Sequence, residues 1–318
     1  MSEGGSQHGE LSIGTSETLD NQVAPRSCFS SYVTFYKNKY MVLELAFCLL
    51  WSFISHGLST AIIPLYTRNI PYQQTQNGDI ILDMYLNQEL VDETISDEIL
   101  VLTCMFMPLI ICFVVAIVAK SPPSDFHASA CAVSFGVGTT TFLTNCIKHY
   151  DGYLRPNFYK YCGFDEDSLA CEDNNDEPHK SFPSGHSSLS FCGMTFLALF
   201  FYGKVGLHRP IGKHDIGSPA PYDEGTLFKK RILSILGSGL SMAWAINVAA
   251  SRVHDNFHHP ADVVGGSVLG MLCAYFSYSL WYAPVLSHLA GMPLQMVYKI
   301  RRNEVSSLST SASGSSFA

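Results

Sequence analysis

The chain reads as an all-α, polytopic membrane protein whose six transmembrane helices pack as a helical bundle. Three observations predict this. Hydrophobic residues make up 47% of the 318 positions and charged residues only 14%, whereas a soluble domain carries about one quarter charged residues. Six apolar runs approach or exceed the ~20 residues that a helix needs to cross a bilayer. Titratable residues gather at the ends of these runs rather than along them.

The runs lie at roughly 41–66, 99–119, 127–147, 187–203, 232–250 and 262–284. The first two are continuous and strongly apolar. The third, "ASACAVSFGVGTTTFL", is rich in small residues that let helix backbones approach closely, so it belongs inside the bundle. The fourth is short and extends toward "PSGH". The fifth carries Asn247 and several serines and is expected to face other helices. Together they define a six-span domain over 40–290. A polar N-terminal tail, 1–39, is expected to be disordered, with no apolar core of a cleaved signal. A serine-rich C-terminal tail, 291–318, ends in the low-complexity stretch "SSLSTSASGSSFA", which is expected to be disordered likewise.

Basic residues set the orientation. Thirteen of the 19 lysines and arginines fall in the two tails, at Lys120 and in the loop 204–231. Those segments are expected to be cytosolic, with both termini inside. The loops 67–98, 148–186 and 251–261 then face the extracellular or lumenal side of a plasma membrane or endomembrane. Cys162 and Cys171 lie in the second of these loops, on the oxidising side. There a disulfide between them is favoured over two free thiols. The other cysteines sit mostly in apolar runs as small buried hydrophobes. A net charge of −8, with no basic stripe, argues against a nucleic-acid partner. Oligomeric state is left open.

Three polar stretches carry the chemistry. They are "KHYDGYLRP" with Lys148 and Arg155, "FPSGHSS" with Ser184, Gly185 and His186, and "SRVHDNFHHPADVVGG" with Arg252, His258, His259 and Asp262. Each alone has a bland reading as an interface anchor, a helix start or a structural histidine. The topology places all three on one face of the membrane, where they can converge. Arginine offers a planar fork to two phosphate oxygens, and lysine adds a point charge. A helix opening at "PSGH" aims backbone N–H groups and its dipole at an anion. His258 stands four residues before Asp262 and His259 three, so spacing alone allows either to reach the carboxylate. A histidine held in this way is a nucleophile toward phosphorus. A second histidine can protonate the leaving oxygen and later activate water. No metal or other cofactor is required by this set, and no metal-ligand spacing is present.

The ordered trio resembles the three-part signature of the type 2 phosphatidic acid phosphatases, or lipid phosphate phosphatases, which share a helical core with the vanadium haloperoxidases. Lys148 is followed after six residues by Arg155 and Pro156. Pro183, Ser184, Gly185 and His186 come next. Ser251 and Arg252, then His258 after five residues and Asp262 after three, complete it. The resemblance runs over roughly 40–290. It implies His258 as nucleophile, Asp262 as its partner and His186 as acid and base. It implies Lys148, Arg155, Ser184, Gly185 and Arg252 as phosphate ligands. His149, His254 and His259 fall outside the pattern and are expected to line the mouth of the site.

The function this implies is magnesium-independent dephosphorylation of membrane lipid phosphate monoesters through a phosphohistidine. Phosphatidate would give diacylglycerol and phosphate. Lysophosphatidate, diacylglycerol pyrophosphate and sphingoid phosphates are further candidates. A non-catalytic lipid-phosphate-binding protein on the same fold is the alternative; turnover separates the two. A transporter is disfavoured because intramembrane charge is sparse, with Glu44 expected to snorkel toward the inner end of the first span.

Overall fold

The structure is a computed structural model that describes residues 28–172, 175–205 and 224–314. Among these, six helical segments are long and apolar enough to cross a membrane. They are α2 (Lys39–Ile62), the stretch Asp97–Val118, α5 (Pro123–Asp151), α7 (Gly185–Val205), α8 (Glu224–His254) and α9 (Pro260–Trp281). The stretch Asp97–Val118 comprises α3 (Asp97–Val101), a π-helical turn (Leu102–Phe106) and α4 (Met107–Val118). Pro108 enters directly after that turn. Proline lacks an N–H and crowds the preceding turn, so the widened turn accommodates it.

Local sequence sets the helix ends that matter for the site. Asn38 accepts the N–H of Tyr40 and starts α2. The helix stops at Ile62 rather than near 66 because Pro64 follows, and residues before proline avoid helical backbone. α5 ends at Gly152, whose φ of 57° is left-handed and whose N–H returns to the Lys148 carbonyl. A side chain there would also strike the Tyr66 backbone. This cap fixes Lys148 in the last turn of α5. Pro260 occupies the first turn of α9, as its preset φ favours.

α7 is the central helix and packs against α9, α8 and α5. Gly266 and Gly270 of α9 face the backbone of Ser184 and Ser188, leaving no room for a methyl group. Gly138 of α5 meets Trp51 and Ser52 of α2 in the same way. Small residues at these crossings let dispersion contacts replace the missing hydrophobic drive between helices in lipid. Ala128, Ala132, Cys192, Phe196, Phe200 and Tyr278 are among the buried residues of the main core. Large apolar side chains such as Phe47 and Phe53 of α2 and Leu240 of α8 are exposed outward, as lipid-facing surfaces require.

Several expectations are corrected. α8 buries one edge, including Ser241, Ala245 and Val248, while Asn247 is exposed. The fifth span is therefore peripheral, and its helix begins at Glu224 rather than near 232. Glu44 does not snorkel freely. Its carboxylate accepts Trp281 Nε1 at 2.8 Å and meets His127 Nε2 at 3.1 Å. The N-terminal tail is helical over α1 (Cys28–Tyr36), where Phe35 and Tyr36 pack edge-on against His127. Disorder over 1–27 concerns positions outside the described residues, as do Arg26, Arg209 and Lys213 of the orientation argument. The C-terminal tail forms α10 (Leu294–Gly314), with Val297 buried.

Between the spans at one end lies a small cap. It contains the antiparallel hairpin β1 (Tyr72–Gln74) with β2 (Ile80–Leu82), α6 (Phe158–Cys162), and β3 (Phe164–Asp165) with β4 (Ala170–Cys171). The cap has its own apolar cluster, built on Leu154, Phe158, Tyr159 and Cys162. Cys162 and Cys171 are joined by a disulfide with Cα atoms 5.3 Å apart.

Candidate active site

A cavity of about 270 Å³ opens where the cap meets the ends of α5, α7 and α8. Its wall includes Lys148, Arg155, Gly185, His186, Arg252 and His258. Residues from three separate stretches of sequence thus share one space. Two other residues of the set stand behind that wall. Ser184 is fully buried, and its Oγ accepts the N–H of Ser187 at 3.4 Å. Asp262 is 1% exposed and sits under His258.

Each cation is held by acceptors of the chain itself. Lys148 Nζ donates to the Lys180 carbonyl at 2.5 Å. Arg155 donates from Nε to the Glu177 carbonyl at 2.9 Å and from Nη2 to Glu177 Oε2 at 3.0 Å. Its guanidinium also lies 5.7 Å from the rings of Tyr161 and Phe257. Arg252 donates to Ser251 Oγ, Glu93 Oε2 and Asp255 Oδ2 at 3.1, 3.2 and 3.1 Å. Burial raises the Glu177 carboxyl, but Arg155, Lys148 and Lys180 outweigh it and hold the group below the usual glutamate value. Asp255 behaves similarly. Burial raises it, and bonds from His254 and Thr94 together with Arg252 bring it lower than usual.

Asp262 is crowded on one oxygen. Oδ2 accepts the Ser181 hydroxyl at 2.6 Å and the His259 backbone N–H at 2.9 Å, and it lies 3.3 Å from His259 Nδ1. His258 Nδ1 stands 3.7 Å from the same oxygen, beyond hydrogen-bond range. His258 Nδ1 and Asp262 Oδ1 are both buried without a hydrogen-bond partner among the described residues. Burial holds the His258 imidazole well below the ordinary histidine pKa, with Asp262 opposing in part. Burial thus favours the neutral form of the His258 imidazole.

The geometry separates the histidine doublet in a way that spacing did not. His258 lines the cavity, whereas His259 lines a different pocket and lies 5.1 Å from the Tyr153 ring. His149 bonds the Ile63 carbonyl at 2.8 Å, and His254 is exposed beside Asp255 at 3.0 Å. Neither these two nor His259 lines the cavity mouth, contrary to expectation. His186 Nε2 lies 3.1 Å from the Ile95 carbonyl and 3.4 Å from Arg252 Nη1.

Sequence reasoning passed over Glu93, Asp97 and Glu177, which line the cavity, and Ser181 and Asp255, which hold its residues. Asp255 lay inside a stretch already singled out. Its signal was a carboxylate three residues after Arg252, the spacing of a helical ion pair.

The profile of the PAP2 superfamily matches residues 129–285, from α5 to just beyond α9. The chain is 31% identical over 222 residues to lipid phosphate phosphatase 1 of Arabidopsis thaliana, across 67% of this chain and 62% of that protein. It is 31% identical over 183 residues to diacylglycerol pyrophosphate phosphatase 1 of Saccharomyces cerevisiae, across 53% and 56%. It is 32% identical over 156 residues to phospholipid phosphatase 1 of Mus musculus, across 45% and 48%. The chain thus spans less than two thirds of the length of each of these three relatives. No solved structure matches. With six helices long and apolar enough to cross a membrane, the chain is an integral, multi-pass membrane protein, and its segment 129–285, which contains all three polar stretches, is similar to the PAP2 superfamily.

Proposed function

We propose that the chain is a phosphoric monoester hydrolase that dephosphorylates lipid phosphates, with phosphatidate as a substrate and a phosphohistidine on His258 as the intermediate. The observation that carries this reading is the convergence of Lys148, Arg155 and Arg252 with His186 and His258 on one cavity. Three cations suit the equatorial oxygens of a phosphoryl group in transfer, and their fixed positions supply electrostatic stabilisation without reorganisation.

In the proposed reaction, Nε2 of His258 gives its lone pair to phosphorus. The bond from phosphorus to the lipid oxygen breaks, and its electron pair leaves on that oxygen, which takes a proton from His186. Water then adds to phosphorus, its proton passes to His186, and the P–N bond breaks. Inorganic phosphate and neutral His258 result. Asp262 orients the imidazole through Nδ1, and Gly185 gives the phosphoryl oxygens close access to the start of α7. Ser184 acts from behind the wall by shaping that helix start rather than by touching phosphate. The cavity faces the extracellular or lumenal side, with both termini cytosolic, as the distribution of basic residues supports.

The test is phosphate release from phosphatidate in detergent micelles containing EDTA. His258→Ala and His186→Ala should each abolish release while the protein still accumulates in the membrane. Full activity in either variant would overturn the mechanism. Wild-type protein that binds phosphatidate vesicles without turnover would favour a binding role on the same fold.

A further inference from the structure

The cavity is not uniformly cationic. Beside His186 its wall is acidic. Glu93 Oε2 lies 3.8 Å and Asp97 Oδ1 3.7 Å from His186 Nε2. Glu93 is tied to Arg252, but Asp97 pairs with no lysine or arginine among the described residues, and its side chain is 83% exposed. Three residues along each helix from Asp97 and His186, Leu100 and Leu189 also line the cavity and pack within one apolar cluster. This side of the cavity therefore offers an apolar wall and, next to it, two carboxylates.

Carboxylates contribute nothing to holding a phosphate, and near one they oppose it. Their position instead suits them to read the charge of the departing group. An oxygen that takes a proton from His186 must come within hydrogen-bond distance of it. A charge two or three bonds from that oxygen then falls several ångströms from Asp97 and Glu93. Diacylglycerol, which is neutral, would be indifferent to them. A leaving group with an ammonium beside its oxygen would be attracted. One with a second phosphate would be repelled.

We propose that Asp97, assisted by Glu93, makes this site selective for leaving-group charge, favouring lipid phosphates with an ammonium next to the ester oxygen and disfavouring lipid pyrophosphates. The proposal rests on His186 as proton donor to the leaving oxygen. The apolar stem of the lipid passes Leu100 and Leu189, and the charge at its head is weighed by the two carboxylates. One unit charge at such a distance, partly exposed to water, changes relative rates by about threefold to tenfold.

The test compares kcat/KM for phosphatidate, sphingosine phosphate and diacylglycerol pyrophosphate in uncharged detergent micelles at low salt, for the wild type and Asp97→Asn. In the variant, the ratio of sphingosine phosphate to phosphatidate should fall about threefold to tenfold, and the ratio of pyrophosphate to phosphatidate should rise by at least as much. Phosphatidate and sphingosine phosphate both release a primary alkoxide, so an effect of Asp97 on proton donation by His186 is shared by these two and cancels in their ratio, which is the deciding one. Both shifts should shrink at high salt. Glu93→Gln should move the ratios in the same directions. Ratios that stay within about twofold of wild type in both variants, where a charge effect of this size is expected, would overturn the selectivity while leaving the phosphatase reading standing. Wild-type protein that releases phosphate from none of the three would overturn the phosphatase reading, and the selectivity with it.

Discussion

The hydroxyl of Ser181 donates to Oδ2 of Asp262 at 2.6 Å, across 81 residues of sequence. Ser181 is fully buried, and its backbone N–H is held by the Tyr153 carbonyl at 2.8 Å. The serine thus fixes the carboxylate proposed to orient His258. A buried hydrogen bond to a charged group is worth about 1.5–3 kcal/mol. Ser181→Ala should lower kcat about tenfold or more while KM stays within about twofold, because the loss falls on the transition state. Ser181→Thr, which keeps the hydroxyl, should recover most of it. Steady-state phosphate release separates the two parameters.

The histidine doublet gives a second outcome. His258→Ala should lower turnover about a thousandfold or more, because the group proposed to attack phosphorus is gone. His259→Ala should cost less than about tenfold. Its backbone N–H, which the substitution preserves, supplies the 2.9 Å bond to Asp262. A side-by-side assay of the two variants at equal membrane abundance checks this.

Arg155→Lys tests the fork. Arg155 spreads its donors over two Glu177 oxygens and lies near two aromatic rings. An ammonium reproduces its charge but neither its planar geometry nor its stacking. KM for phosphatidate should rise about tenfold, and inorganic phosphate should inhibit correspondingly less. Inhibition curves with phosphate report the second effect without turnover of lipid.

The pH response has a defined sign. Burial keeps the His258 pKa well below its ordinary value, so the imidazole stays neutral as the pH falls through about 6.5. Loss of the nucleophile by protonation should therefore begin only below that pH. Folding stability follows the same direction. Below about pH 6.5 the unfolded histidine binds a proton that the folded one does not, so stability declines as the pH drops. Asp255, lowered in the folded state, adds a second loss at lower pH. Its stabilisation is complete above the ordinary carboxylate range and disappears as the pH falls through and below it. Thermal unfolding in detergent across this range should show both losses, and Asp255→Asn should reduce the lower one, to which Glu177 also contributes.

The disulfide closes a short loop, with a sequence separation of nine. The chain-entropy relation gives about 2–3 kcal/mol for a loop of this size. Replacing both Cys162 and Cys171 with serine should shorten the half-life of activity at elevated temperature and leave the initial rate within about threefold. Timed inactivation assays measure it.

Much of this molecule is legible in its sequence for a physical reason. A span announces itself by composition alone, so all six were found. The polar trio was legible because each part is a local pattern of a few residues. What escaped depends on pairs remote along the chain. Glu93 meets Arg252 across 159 residues and Ser181 meets Asp262 across 81, and no local pattern marks either. The doublet was ambiguous by spacing because helical and near-helical offsets both reach a carboxylate. The fold sends the two rings into different pockets, and of the two only His258 lines the cavity. The exposure of Asn247 was misread because one polar side chain does not say which way a helix is turned.

The cap has its own apolar centre, separate from the helix bundle, and Arg155 lies directly after Leu154 of that centre. Lys148 and Arg252, by contrast, belong to helices of the bundle. The proposed grip on phosphate is thus shared between two independently founded parts of the protein. A chimera in which residues 67–98 and 153–183 are exchanged as one piece with those of a relative would carry Arg155, Glu93, Asp97 and Glu177 together. The selectivity of one protein could then be transplanted onto the membrane frame of another, with His258 and the two helices that flank it left untouched.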